Sequence, residues 1–276
     1  KQKTAYEIMP SLVGSEMCIR DRAKEHYQQI KEFIKGTSVE DAPIIPVSAV
    51  FGANIDVLIQ KIEEIIPTPD RDAEAPPKMF VARSFDINKP GTLPQDLKGG
   101  VVGGSIVQGR LRVGDEIEIA PGMKTDKGFQ PIRTKIVSLV SGSGNYLDEA
   151  YPGGLIGVGT SLDPAMTRAD RLVGNVVGKV GKMPKTVYKL TLRPRLMQRV
   201  VGMDSERRVE NLRHNEALML VAGTAATVGV ITRLHENEIE LTLKRPVCVE
   251  NGQRVALGRR VDNKWRLIGH AVIGEK

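Results

Sequence analysis

Basic side chains come in close pairs in the last third of the chain: Arg193 and Arg195 within LRPRL, Arg207-Arg208, Lys244-Arg245 and Arg259-Arg260. Such pairs bind phosphates by charge and by release of counterions. They suit edge strands equally, where charge keeps sheets from adding to one another. Paired carboxylates, Asp115-Glu116 and Asp148-Glu149, have the types for acid and base work but read more simply as loop and strand-edge charges. A nucleotide hydrolase would carry G-x-x-x-x-G-K-[ST], whose amides cradle phosphates. No such string occurs; Gly178-Lys-Val-Gly181-Lys182 has the wrong spacing and Met183 where a hydroxyl is needed. Asp96-Leu-Lys-Gly99 matches D-x-x-G, and Asn88-Lys89-Pro90-Gly91 half matches N-K-x-D, with Gly91 where the base-reading carboxylate should stand. Both read as turns chosen for Asn, Pro and Gly. No G-x-S-x-G, H-E-x-x-H or C-x-x-C string is present.

Composition narrows the classes further. The chain has 276 residues, 41% hydrophobic and 26% charged, which is ordinary for a globular protein with two or three cores. No stretch approaches the roughly 18 consecutive apolar residues of a membrane helix. Cys18 and Cys248 are too far apart for a zinc knuckle, and the histidines (His26, His214, His235, His270) are scattered, so no metal site is expected. Cysteine usage fits a reducing, cytoplasmic compartment. Lys and Arg number 40 against 33 Asp and Glu, net +7, a mild bias towards a polyanionic partner such as RNA.

The elements that must position these residues change character along the chain. AKEHYQQIKEFIKGT places Tyr27, Ile30, Phe33 and Ile34 on one helical stripe, with Gly36 at the C-cap. Pro43 to Val47 reads as a short buried strand, and Asn54 as the cap of a helix carrying Ile55, Leu58, Ile62, Ile65 and Ile66. Pro67 to Pro77, rich in Pro and charge, reads as a stiff interdomain linker. Beyond it, short runs of Val, Ile, Thr and Leu from Met79 to Ile273 are punctuated by turn residues about every ten positions, which signals barrels or sandwiches. The expected class is mainly β: two consecutive β-barrels joined near Gly181 to Pro184, preceded by the tail of an α/β layer.

Residues 1 to 22 show no clean periodicity, and Ser11 to Arg22, SLVGSEMCIRDR, resembles the conceptual translation of a sequencing-adapter oligonucleotide. This segment is therefore expected to be non-native and without structure, leaving Cys248 as the native thiol.

Several strings together resemble one family: Ile45-Pro-Val-Ser-Ala49, Ile66-Pro-Thr-Pro69, Ala82-Arg-Ser-Phe-Asp-Ile-Asn-Lys-Pro-Gly91, Leu111-Arg-Val-Gly-Asp-Glu-Ile-Glu-Ile119, Pro152-Gly-Gly-Leu-Ile-Gly-Val-Gly159, Arg245-Pro-Val-Cys248 and Trp265-Arg-Leu-Ile-Gly269. From about Ala23 to Ile273 the chain is similar to the gamma subunit of translation initiation factor 2, closer to its archaeal members. The resemblance implies a P-loop GTPase domain and two barrels as in elongation factor Tu, here 23–73 for the domain's remnant, 77–182 and 183–276 for the barrels. It implies an intact protein that binds GTP and Mg, delivers methionyl initiator tRNA to the small ribosomal subunit while hydrolysing GTP, and assembles with alpha and beta subunits.

Residue by residue, Ser48 and Ala49 match the last guanine-contacting motif. The first barrel would contact the alpha subunit and line the pocket for the aminoacylated tRNA end through Gly103, Gly104, Ser105 and the strand Lys135 to Leu139. Paired glycines also mark bulges. Arg193, Arg195, Arg259 and Arg260 would be tRNA contacts on the second barrel. The family's phosphate loop, switches, magnesium ligands and N-K-x-D lie upstream of what matches, so the chain as given is expected to be inactive and to bind neither GTP nor Mg. Two other readings compete: a selenocysteine-specific elongation-factor fragment, and a non-catalytic barrel module that docks protein alone.

Overall fold

The computed structural model describes residues 16–37, 39–201 and 207–274. The chain divides at Pro69 into two compact units.

In the first unit, helix α1 (Glu16–Ile34) ends at Gly36, whose φ of 73° supplies the left-handed turn that stops it. The expected structureless segment lies outside the described residues up to residue 15, but from Glu16 the chain is helical. Its last residues contain neither Gly nor Pro, so a helix nucleated further on propagates back through them. Helix α2 (Ile55–Ile65) follows Asn54, which caps differently from expectation: its φ is 58°, and its side chain donates to Pro46 O at 2.9 Å instead of capping an amide. Pro43 to Val47 forms no strand. An apolar run needs a neighbouring strand to complete its ladder, and among the described residues of this unit the only pairing is the bridge between Ser48 and Ala53.

The second unit holds two closed barrels. The first comprises β1 (Lys78–Phe85), β2 (Val101–Gln108), β4 (Glu116–Thr125), β5 (Gly128–Ser141), β8 (Ile156–Thr160) and β9 (Val176–Lys179), in the ring order β4-β9-β1-β2-β8-β5, closed by β4 against β5. Short strands β3 (Leu111–Arg112), β6 (Tyr146–Leu147) and β7 (Glu149–Ala150) lie on its rim, and a helical turn α3 (Pro164–Thr167) follows β8. Inward positions alternate as strand geometry dictates: Val102 and Ile106 on β2, Ile156 and Val158 on β8. The expectation missed β9, a four-residue strand hidden in the glycine-rich run before the join. β4 continues past Ile119 through Pro121 and Gly122, residue types that suit a turn. They form a bulge instead, and a Cβ at Gly122 would lie 1.7 Å from Gln130 O.

The second barrel comprises β10 (Lys185–Leu196), β11 (Ala217–Ala222), β12 (Ala225–Leu234), β13 (Ile239–Val249), β14 (Arg254–Val261) and β15 (Lys264–Ile273), in the ring order β10-β13-β12-β11-β14-β15. Leu192, Leu218, Leu220, Ile231, Leu241, Leu257 and Ile268 fill its interior.

The segment read as a stiff interdomain linker is bound along the first barrel from Asp72 onward. Gly109 N donates to Asp72 O at 2.7 Å, Gln108 Nε2 to Pro76 O at 2.9 Å, and Arg110 pairs with Glu74 at 3.1 Å. The barrels share a seam. Lys78, 9% exposed, pairs with Glu250 at 2.7 Å, and Phe80 packs so close to Gly223 that a Cβ there would sit 2.7 Å from its ring.

Cys248 packs in this seam with Ala120 and Val176, and its Sγ donates to Pro184 O at 3.1 Å. Burial pushes the thiol up to about 11. At pH near the ordinary thiol value the reactive thiolate is thus depleted by a factor of about fifty. Alkylation followed at Cys248 by peptide mapping should be at least about fiftyfold slower in the folded protein than in denaturant. Equal rates would show that the seam does not form.

Candidate nucleic-acid interface

The outer face of β1, β2, β8 and β5 is nearly bare. Strand pairing sets Arg83, Gly103, Gly157 and Val140 in one row, and Phe85, Val101, Gly159 and Ser138 in the next. Gly103 and Gly157 therefore leave the backbone of β2 and β8 open as a floor, while the Ser138 hydroxyl lies over the third glycine, Gly159. Around it stand Phe85, 42% exposed, Leu155, 68%, Val137, 58%, and Tyr146, 77%. A cleft of about 800 Å³ adjoins the floor, lined in part by Ile87, Leu97, Lys98, Val137, Tyr146 and Ser161.

The loop carrying Ile87 and Lys98 is pinned by Asn88. Its Nδ2 donates to Lys98 O at 2.7 Å, its Oδ1 accepts from Lys98 N at 2.8 Å, and its backbone and side-chain N–H groups both donate to Asp86 Oδ1 at 2.8 Å. The half match to N-K-x-D is thus a loop clasp, with Gly91 at φ 86° turning the chain. Those two donors, the backbone N–H first, hold the Asp86 carboxyl below its usual range, and Arg168 at 3.6 Å adds to the effect. Because the folded value is depressed, this contribution is present above the unfolded carboxylate's range and is lost as pH falls through the lowered value.

Of the residues expected at this pocket, Gly103 and Ser105 lie on the outer face and Lys135 is exposed on β5. Two do not serve as expected. Leu139 is fully buried in the first barrel's core, because a bulge at Val137 shifts the register and turns the side chain inward. Gly104 points inward, with the Phe80 carbonyl 1.8 Å from where its Cβ would be, so the bulge accounts for it. Phe85, Gly157, Gly159 and Tyr146 were not anticipated; the G-x-G spacing in LIGVGT, one face of a strand, was the available signal.

On the second barrel Arg193 pairs with Glu238 at 2.9 Å, while Arg195 and Arg260 are exposed with no acidic partner among the described residues. Arg259 is not available to a ligand. Its guanidinium grips both oxygens of Glu216, at 2.5 and 3.1 Å, and donates to Glu210 O and Asn211 O at 2.8 and 3.1 Å. In the first unit Ser48 N is already committed to Ala53 O at 3.2 Å, and Ala49 is exposed.

The model for the elongation factor Tu domain 2 family matches residues 99–178, the first barrel, and that for initiation factor eIF2 gamma, C terminal, matches 188–273, the second. The gamma subunit of translation initiation factor 2 from Pyrococcus furiosus is 56% identical over 264 residues, covering 94% of this chain and 64% of its own length. That from Thermococcus kodakarensis is 55% identical over 272 residues, 97% of this chain and 66% of its own. The chain belongs to the initiation factor 2 gamma family. It spans about 64% of the length of the Pyrococcus relative. Among solved structures, a bacterial selenocysteine-specific elongation factor superposes with a TM-score of 0.66 at 18% identity, over 94% of this chain and 37% of the other. The elongation factor SelB of Methanococcus maripaludis, solved with a GTP analogue, gives 0.67 at 20% over 91% and 55%. At such identities these two share the fold with the gamma chain, while sequence sets it with the initiation factors.

Proposed function

We propose that the first barrel receives the aminoacylated 3′ end of methionyl initiator tRNA on the glycine floor of β2 and β8. The carrying observation is the juxtaposition of bare backbone at Gly103 and Gly157 with the Phe85 ring and with Arg83, which also pairs with Asp170 at 3.4 Å, while Lys98 lines the adjoining cleft with Gly159. Exposed rings stack on bases for about 1–3 kcal/mol each, cations meet phosphates, and a floor without side chains lets ribose and ester approach peptide groups. The same reading makes this chain part of a translation initiation factor acting in the cytoplasm, contacting an alpha subunit through the first barrel, a beta subunit and the small ribosomal subunit. GTP and Mg belong to the intact factor, with Ser48 and Ala49 the residues this chain would bring to the guanine.

The test is filter binding of methionyl and uncharged acceptor-stem RNA. Cβ atoms at Gly103 and Gly157 would have no neighbour closer than 3.8 and 3.7 Å, so an alanine methyl fits at either position while raising the floor. Gly103→Ala and Gly157→Ala should each weaken binding of the charged RNA about tenfold or more, with unchanged unfolding midpoints. Equal affinity for charged and uncharged RNA would refute the assignment.

A further inference from the structure

The second barrel carries, on the face formed by β10, β15 and β14, an apolar spine with arginines along both sides. Register puts Trp265 opposite Arg260, Leu267 opposite Gly258, His270 between Ala256 and Arg195, and Val272 between Arg254 and Arg193. These are the outward positions: Ile268, Ala271 and Ile273 point into the core. Trp265 is 38% exposed and Leu267 42%. Met197 and Val201 are exposed beside them, held there by backbone bonds to Ile268 O and Leu267 O.

Among the described residues the charges of this end do not cancel locally. Among the described residues, four acids on the adjoining loops are already engaged: Glu238 by Arg193, Glu210 by Arg213, Glu216 by Arg259 and Asp262 by Arg207. Arg195, Arg254 and Arg260 have no acidic partner among the described residues. Trp, Met and Arg around a continuous apolar strip are the composition of protein-binding hot spots. A phosphate backbone would satisfy the arginines but would leave Leu267 and Met197 against water, so charge and apolarity together favour a protein segment.

We propose that this face binds an amphipathic helix of a partner protein, one apolar stripe bordered on both sides by Asp or Glu. The spine from Trp265 to Val272 is about 23 Å long at the rise of a strand, which a helix of about fifteen residues matches. The stripe packs on Trp265, Leu267 and Met197, and the flanking carboxylates meet Arg195 and Arg254 on the two sides, with Arg260 beside Trp265. The proposal is independent of what the first barrel binds.

The probe is a fluorescent helical peptide of about sixteen residues with leucines at helical spacing and glutamates beside them, titrated onto the full chain. A scrambled peptide of the same composition and a short RNA duplex are the comparisons. The striped peptide should bind at least about tenfold tighter than the scrambled one, and Leu267→Ser and Trp265→Ser should each weaken it by about tenfold or more. Arg195→Glu combined with Arg260→Glu should do the same while keeping the apolar strip. All four side chains are exposed, and unchanged thermal unfolding of the variants checks the fold. No binding, equal binding of striped and scrambled peptides, or insensitivity to Leu267→Ser would overturn the proposal. So would duplex binding that the arginine variants alone abolish, which would assign the face to RNA.

Discussion

Gly104→Ala is expected to destabilise the first barrel by about 3 kcal/mol or more, a large loss for one methyl group. The bulge between Val81 and Arg83 brings the Phe80 carbonyl across the position, 1.8 Å from where the new Cβ would lie, with Met79 Cε at 3.2 Å behind it. Neither strand yields easily. Phe80 pairs with Ser105 on one side and Val176 on the other, so moving it opens the ring of strands in two places. Gly103→Ala, one residue away and facing outward, meets nothing closer than 3.8 Å and is the matched control. Denaturant unfolding of the two variants decides the matter: if Gly104→Ala is as stable as Gly103→Ala, the bulge does not hold the carbonyl where it is described.

Arg259→Met should cost about 3 kcal/mol. Arg259 and Glu216 have side chains only 15% and 16% exposed, and the guanidinium also satisfies two backbone carbonyls at the end of the long connection from β10 to β11. Removing it leaves a largely buried carboxylate without its counter-ion, which is where most of the loss arises. Replacing both partners, Arg259→Met with Glu216→Leu, should therefore recover much of the stability, since a pair removed together strands no charge. The neighbour Arg260→Met, exposed and without an acidic partner among the described residues, should change stability by about 0.5 kcal/mol at most. A cost at Arg259 no larger than at Arg260, or a double variant worse than the sum, would contradict the clamp.

These two arginines show where reading a sequence stops. Arg259 and Arg260 are the same residue type side by side, and strand alternation says that one points in and one out without saying which. Only the partner across β15 and the acid at Glu216 decide it. The barrels themselves were legible because alternating Val, Ile and Leu between turn residues leaves few other ways to bury a strand face. What was lost was lost at bulges. A period of two carried from Lys135 places Leu139 on the outer face, and the single extra residue at Val137 reverses it. The same blindness hid Gly104, correctly noticed as special but special for its own barrel's carbonyl. The glycines that do face outward, Gly157 and Gly159, lay in plain view at a spacing of two.

A surface made of peptide groups alone has an unusual immunity. At Gly103 and Gly157 the floor offers no side chain of its own to protonate, phosphorylate, acylate or oxidise, and the Ser138 hydroxyl reaches it at the Gly159 end. Whatever rests there meets the same dipoles at any cellular pH or redox state, and control over it must come from the walls. Drift in sequence can act on such a floor in one direction only, by adding atoms, so each substitution narrows the space above it and none can widen it.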